Sequence, residues 1–254
     1  MALQKGDFIL IKYTRKVKET NDVNETTNEE VAKKEHIFKE GGIYEPKLVI
    51  IGEHFYLEAL EDSLTTMEAN KPATVEIPPE KGSGQRDPQK VRLVPLKQLL
   101  AKEINPVVGA QIEFQGKEPI VRSIGAGRVL LDFNPPLAGK TLIYDVTVNK
   151  KLESNEEKIG ALVHRRIPAV EENQFKLTIQ DKSLTIDMPE LAFYIEGIQI
   201  IKRGIAIDIQ KYIPDLAETK FVEAFKAEPK PAPVAPTTAP APEVPAPEAP
   251  ASAP

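Results

Sequence analysis

No cysteine and no tryptophan occur in the 254 residues, and there are three histidines. The first absence removes disulfides, thiolate nucleophiles and cysteine-ligated metals together. It also agrees with a reducing, cytoplasmic setting. His36, His54 and His164 are scattered, with no metal-ligand spacing, so neither a metal nor a cofactor is expected. No stretch approaches the roughly 18 apolar residues that span a bilayer, and Met1 to Asp7 lacks an apolar run of signal-peptide length. A soluble chain with no membrane partner is the expectation. The formal net charge is −5, so the basic face that a nucleic-acid binder needs is missing. His164-Arg165-Arg166 and Lys202-Arg203 are clusters too small to supply one. Gly82-Ser83-Gly84 is not followed by the lysine and serine or threonine of a phosphate-binding loop.

What the chain does have is a 41% hydrophobic fraction, enough for sizeable cores, and a strongly uneven distribution of proline. Ten of its 23 prolines fall in residues 227–254, interleaved with alanine. Proline removes backbone donors and little there is bulky and apolar, so that segment reads as a disordered, extended tail. Upstream, Asp7 to Val17 alternates as a strand that is apolar on both faces near its start. A polar stretch, Lys18 to Glu25, follows. Thr27-Asn28-Glu29-Glu30 reads as a capping box, so a short helix is expected from there to about Lys34. Pro46 to Ile51 and Ala73 to Ile77 read as strands, and Tyr56, Leu57, Leu60 and Leu64 as a short amphipathic helix.

From Val91 the rhythm changes. The segment starts as a strand, bends at Pro95 and turns helical. Gln111 to Phe114, Pro119 to Ile124 and Val129 to Phe133 read as three short strands separated by Gly116 and Gly125-Ala126-Gly127. Leu142 to Val148 alternates cleanly. Ser154-Asn155-Glu156-Glu157 is a second capping box, opening a helix to about His164. Phe175 to Ile179 and Leu184 to Ile186 form a hairpin, Pro189 to Lys202 a helix, and Ile205 to Ile209 and Phe221 to Phe225 further strands. The apolar helix bearing Leu191, Phe193, Tyr194, Ile198 and Ile201 reads as core, with a homodimer face as the alternative.

Three segments, in order, resemble the FKBP-type peptidyl-prolyl isomerases of the long archaeal and SlyD-like kind, which carry a domain inserted in the flap. Asp132 to Val146, with Asn134-Pro135-Pro136-Leu137-Ala138-Gly139-Lys140, is similar to the family's N-H-P-L-A-G-K segment, Pro135 standing where histidine is usual. Glu76-Ile77-Pro78-Pro79-Glu80-Lys81 with Gly84-Gln85-Arg86-Asp87-Pro88 is similar to its I-P-P-E-K and R-D-P motifs, and Glu25 to Lys34 to its D-T-T-x-E-E-x-A-K-K. The resemblance implies an α+β fold in which an antiparallel sheet wraps a short helix. It places an FKBP-like domain at 1–90 plus 132–150, an insert at 91–131, a C-terminal α+β domain at 151–226 and the tail at 227–254.

The same resemblance implies isomerase and folding-helper activity on Xaa-Pro bonds of unfolded polypeptides. A holdase of the same fold with weak or lost turnover is the alternative. Carried over by position, Tyr13, Glu25, Tyr56, Leu57, Leu60 and Tyr144 form the pocket; ordinary core packing is the competing account of each. Asn24 stands where an aromatic wall residue is usual, Glu25 replaces aspartate, and Ser83 replaces a tyrosine or phenylalanine. In the insert, Ile104, Val107, Val108, Ile112, Phe114, Ile120 and Ile124 are candidates for contact with unfolded clients. Composition does not separate that role from packing within the insert.

Overall fold

Alternation in the first strand decides the architecture. In the computed structural model, which describes residues 3–225, strand β1 (Phe8–Val17) pairs along one edge with two short strands. These are β2 (Val23–Thr26), opposite its second half, and β3 (Lys47–Ile50), opposite its first. Between them lies helix α1 (Glu29–Lys34), capped not by Thr27, whose hydroxyl bonds the Tyr13 backbone, but by the Asn28 side chain, which accepts from the Glu30 and Val31 N–H groups. Helix α2 (Glu58–Leu64) and strand β4 (Pro72–Ile77) follow.

The chain then leaves for a separate three-stranded antiparallel sheet. It is built of β5 (Val91–Pro95), helix α3 (Leu96–Leu100), β6 (Ile120–Gly125) and β7 (Arg128–Asp132), in the order β5-β7-β6. Ala126 and Gly127, both at positive φ (48° and 71°), make the two-residue turn between β6 and β7, as the twist of a tight hairpin requires. The chain returns as β8 (Leu142–Leu152), which inserts between β1 and β4 to complete the order β2-β1-β8-β4.

The remainder is helix α4 (Asn155–Arg166), strands β9 (Lys176–Gln180) and β10 (Ser183–Met188), helices α5 (Glu190–Phe193) and α6 (Ile198–Tyr212), and strand β11 (Glu218–Glu223). Strand β11 runs parallel to β10, and β9 antiparallel to it. Ser154 and Glu157 close the capping box expected at the start of α4.

Period two sends Ile9, Ile11 and Tyr13 to one side of the first sheet, where they meet Leu60 and Leu64 of α2 together with Tyr144, Val146 and Val148 of β8. It sends Phe8, with Leu48, Ile50 and Leu152, to the other side. There they meet Ile159, Leu162 and Val163 of α4 and Ile205 and Ile209 of α6. Both faces are therefore covered at the start of β1, while Lys12 further along is exposed. Phe8 lies edge-on to Tyr212 at 6.0 Å, and the Arg165 guanidinium sits 4.0 Å from the Phe55 ring centroid. His164 Nε2 bonds Glu45 Oε2 at 2.9 Å across the same junction.

Four expectations change. The polar stretch before Glu25 ends in strand β2, formed by pairing with β1 rather than by apolar pattern. Gln111 to Phe114 is not a strand; it makes two isolated bridges, to Ile120 and Lys117, because Gln115 and Gly116 at positive φ turn the chain at once. The helix foreseen from Pro189 to Lys202 is broken at Gly197, whose φ is +74°. Ile205 to Ile209 is helix, not strand. Isoleucines at 205, 207 and 209 mimic period two, but Ile205 and Ile209 are buried one turn apart while Ile207 is 52% exposed. The tail expected at 227–254 lies outside the described residues.

Helical periodicity in α6 sets a mutational asymmetry. Ile209→Ala should lower the stability measured by chemical denaturation by about 2–5 kcal/mol, whereas Ile207→Ala should stay within about 0.5 kcal/mol. Equal losses would restore the strand assignment.

Candidate functional site

Residue 13 on β1 and residue 144 on β8 are brought together by strand register, Tyr13 opposite Val146 and Arg15 opposite Tyr144. Their rings lie 5.7 Å apart, tilted by 45°. The Tyr56 ring meets Tyr13 edge-on, at 5.5 Å and 80°, a favoured geometry for aromatic pairs. Leu60, fully buried, lies in the same apolar cluster, and Leu57 packs against it. Tyr13 donates its hydroxyl hydrogen to Glu25 Oε1. The six pocket residues named from the sequence thus fall in one neighbourhood around the N-terminus of α2.

A buried carboxylate holds the loop that delivers Tyr56. Glu61 accepts from the N–H groups of Gly52 (2.9 Å), His54 (3.2 Å) and Tyr56 (3.0 Å). These backbone donors would otherwise be unsatisfied at the helix entrance. Leu57 follows at the N-cap position in extended conformation, and its own N–H has no partner among the described residues.

One residue of the site was not foreseen. Arg15, two places along β1 from Tyr13 and so on the same face, reaches Glu25 Oε2 (2.8 Å), Asn24 Oδ1 (2.7 Å) and the Tyr144 hydroxyl (3.5 Å). Arg15, Asn24 and Glu25 form a polar cover where the resemblance leads one to expect an aromatic wall. Asn24 Nδ2 is buried there without a hydrogen-bond partner. The signal in the sequence is the period-two spacing of Arg15 from Tyr13, which sets both on one face of β1. Ser83 is half-buried in the loop leading to β5.

A cavity of about 560 Å³ opens beside Tyr56, lined also by Leu10, Leu48 and Phe55 and, from α4, by Ala161, His164 and Arg165. Tyr13 and Tyr144 do not line it; their rings touch each other instead.

Burial shifts two of the phenols. Tyr13 is pushed well above the ordinary tyrosine range by desolvation first, then by its neighbours Tyr56 and Glu25. Tyr56 is pushed up mainly by desolvation. Both are neutral hydrogen-bonding groups at physiological pH.

In the inserted sheet the seven client-contact candidates separate. Phe114 is 3% exposed and packs with Val94, Leu99, Val121, Val129 and Leu131. It is a core residue, because so small a unit has few other large side chains to bury. Ile104 and Ile112 pack against that core, and Ile120 is half-buried. Val107 (63%), Val108 (58%) and Ile124 are exposed, as are Leu93 and Leu100, which the sequence did not single out. Among the described residues no group of three or more histidines and carboxylates is placed to hold a metal, and no helix is long and apolar enough to cross a membrane.

A family described as "FKBP26, IF domain" matches residues 92–137, and one described as "FKBP26_C-terminal" matches residues 155–226. A "Short-type peptidyl-prolyl cis-trans isomerase" of Methanocaldococcus jannaschii is 34% identical over 146 residues, 58% of this chain and 92% of its own length. A "Probable FKBP-type 16 kDa peptidyl-prolyl cis-trans isomerase" of Pseudomonas fluorescens is 31% identical over 109 residues, 41% of this chain and 71% of its own. Among solved structures, a multi-domain immunophilin from Arabidopsis thaliana aligns with 86% of this chain and 71% of its own at 12% identity. Its TM-score is 0.32, a likeness too loose to inform the site. On the extent of the first two relatives, and with the flap insert matched in its own right, the chain belongs to the FKBP-type peptidyl-prolyl cis-trans isomerases.

Proposed function

We infer that the chain isomerises Xaa-Pro bonds of unfolded polypeptides and so assists their folding. The observation that carries this is the cluster of Tyr13, Tyr56 and Tyr144 over Leu60, with Tyr13 tied to Glu25. A prolyl bond rotates over a barrier of about 18–20 kcal/mol because its C–N bond is partly double. Lowering that barrier needs no nucleophile. It needs an apolar bed that favours the twisted, less polar imide, and donors that hold the client's carbonyls. Here the tyrosine cluster would supply the bed, and the Leu57 N–H a donor.

The polar cover bears on rate. Replacing one large apolar wall residue forfeits about 1.5–3 kcal/mol of burial, and each 1.4 kcal/mol missing from transition-state binding costs about tenfold in rate. The cover and the mutual contact of Tyr13 and Tyr144 favour a second reading, a holdase of the same fold with weak turnover.

Residues 91–131 are proposed as the client-holding insert, 1–90 with 132–150 as the isomerase domain, and 151–226 as a third domain. In support, β5 starts at Val91 and β7 ends at Asp132. Exposed Val107, Val108 and Ile124, with Leu93 and Leu100, offer apolar surface to an extended client. Tethering would raise the local concentration of its prolines near the tyrosines. Of the apolar segment that offered a homodimer face, Ile198 lies in the core and Phe193 and Ile201 pack against it, so the exposed Leu191 and Tyr194 are what remains proposed for such a face. The cysteine-free composition supports a cytoplasmic setting.

The decisive assay is refolding of a proline-limited client. Acceleration supports isomerase action; suppressed aggregation without acceleration supports the holdase. Asn24→Phe, which also removes an unpartnered buried amide, should raise kcat/KM roughly tenfold, and an unchanged or lower value would sink the wall argument.

The phenols give a pH test. A raised folded-state pKa means that the stability owed to a neutral phenol is complete below the ordinary value near 10 and is lost as pH rises through the higher one. Tyrosinate absorbance should therefore show a late fraction that Tyr13→Phe and Tyr56→Phe remove. Titration of every tyrosine near 10 would contradict the burial of the cluster.

A further inference from the structure

The chain crosses twice between the first sheet and the inserted one, and the two crossings are locked to each other. The Gly139 N–H donates to the Gly84 carbonyl (2.8 Å), and the Phe133 N–H to that of Lys90 (2.9 Å). A Cβ at Gly139 would lie 2.9 Å from the Arg86 Cβ, so only glycine lets these segments approach so closely. Asn134 makes a reciprocal pair with the Asp87 backbone, its Oδ1 accepting from the N–H and its Nδ2 donating to the carbonyl, both at 2.9 Å.

Asp132, 1% exposed, sits at the centre. Its Oδ1 accepts from the Asn134 N–H (3.0 Å) and Nδ2 (2.8 Å). Its Oδ2 accepts from Arg86 (2.8 Å), on the crossing that leads out, and from Arg122 (2.9 Å), on β6 of the insert. Burial alone would raise the carboxyl. The Asn134 and Arg122 hydrogen bonds and the charge of Arg86 outweigh it and hold the group below the usual carboxylate range. With a lowered folded-state pKa the tie is complete at neutral pH and is lost only on acidification through that depressed value.

We propose that Asp132 is a positioning residue that fixes the direction of the insert relative to the tyrosine cluster. It thereby sets the enzyme's advantage on long unfolded clients over short proline peptides. The inference rests on the insert holding clients. A buried carboxylate bridging two arginines from different segments is weak evidence of stability, since desolvation offsets much of the attraction. It is suited to selecting one arrangement of the parts it joins. A client gripped at Val107 and Val108 presents its prolines to the site at an effective concentration set by the geometry of the tether. A stiff connection keeps that concentration high only while the direction is right.

The cysteine-free chain allows a direct test in the full-length protein. Spin labels at Lys12→Cys and Glu113→Cys, both exposed, should give a narrow distance distribution by pulsed electron resonance. Asp132→Asn turns one acceptor into a donor facing two guanidinium groups, and Arg86→Gln cuts only the cross-link to the outgoing segment. Both should broaden the distribution and lower kcat/KM for a long refolding client about tenfold, leaving turnover of a proline tetrapeptide and affinity for an unfolded client unchanged. Arg122→Gln, which cuts a bond within the inserted sheet, whose strand β7 ends at Asp132, should do neither. A narrow distribution in both Asp132→Asn and Arg86→Gln, or broadening with undiminished refolding, overturns the proposal. Val107→Asp with Val108→Asp separates the premise: it should abolish client affinity with the distribution still narrow. Full affinity in that double variant would remove the client-holding role of the insert and the proposal with it.

Discussion

Burial of both faces of β1 is the constraint on which the rest depends. One ten-residue strand supplies Ile9, Ile11 and Tyr13 to the cluster around α2, and Phe8 to the cluster around α4 and α6. A shift of one residue in its pairing with β8 would exchange the two sets. It would remove Tyr13 from Tyr144 and leave no site. The register opposite β8, ten residue pairs with a bulge between Leu10 and Ile11, therefore specifies the fold and places the tyrosine rings. The helices of the C-terminal part take their footing on the same strand: Phe8 touches Tyr212, and Leu48 and Ile50 of neighbouring β3 share that core.

Two buried carboxylates show how polar groups aim apolar ones. Glu61 collects three N–H groups from the loop before α2 and so holds Tyr56 against Tyr13. Asp132 collects two arginines and an asparagine where the insert joins. In both places the carboxylate is surrounded by donors, which offsets desolvation. Each sits where a loop would otherwise have latitude. Glu25 works differently. It is half-exposed, and it is shared between the Tyr13 hydroxyl and Arg15, so the polar cover and the aromatic bed are joined through one side chain.

The sequence was most legible where local chemistry and tertiary demand agree. Tyr13 and Tyr144 could each be placed on a strand because both segments alternate, but that the two strands lie side by side is implied only by the resemblance to the family. Ser154 and Glu157 announce α4 because a capping box is a local, reciprocal pair of bonds. Legibility fails where the partner decides. Strand β2 has no apolar pattern of its own and exists through its ladder with Thr14 to Lys16. Ile205 to Ile209 fits two periods over five residues, and only the choice of which isoleucines face α4 settles it. Phe114 looked available to a client because a large ring in a small unit is equally suited to surface or core, and the inserted sheet has too few other rings to spare it. Arg15 carries no local signal of its role, since a charged side chain on a strand is ordinarily solvent-facing and only Glu25, Asn24 and Tyr144 draw it to the site.

Asn24 is where the polar cover is least well satisfied. Its Oδ1 is engaged by Arg15, while its Nδ2 is buried and unsatisfied, a state that ordinarily costs about 1–3 kcal/mol. The cover therefore carries a cost in the free protein as well as forgoing apolar burial, and Arg15 offsets part of it by engaging the other end of the same amide while it also holds Glu25.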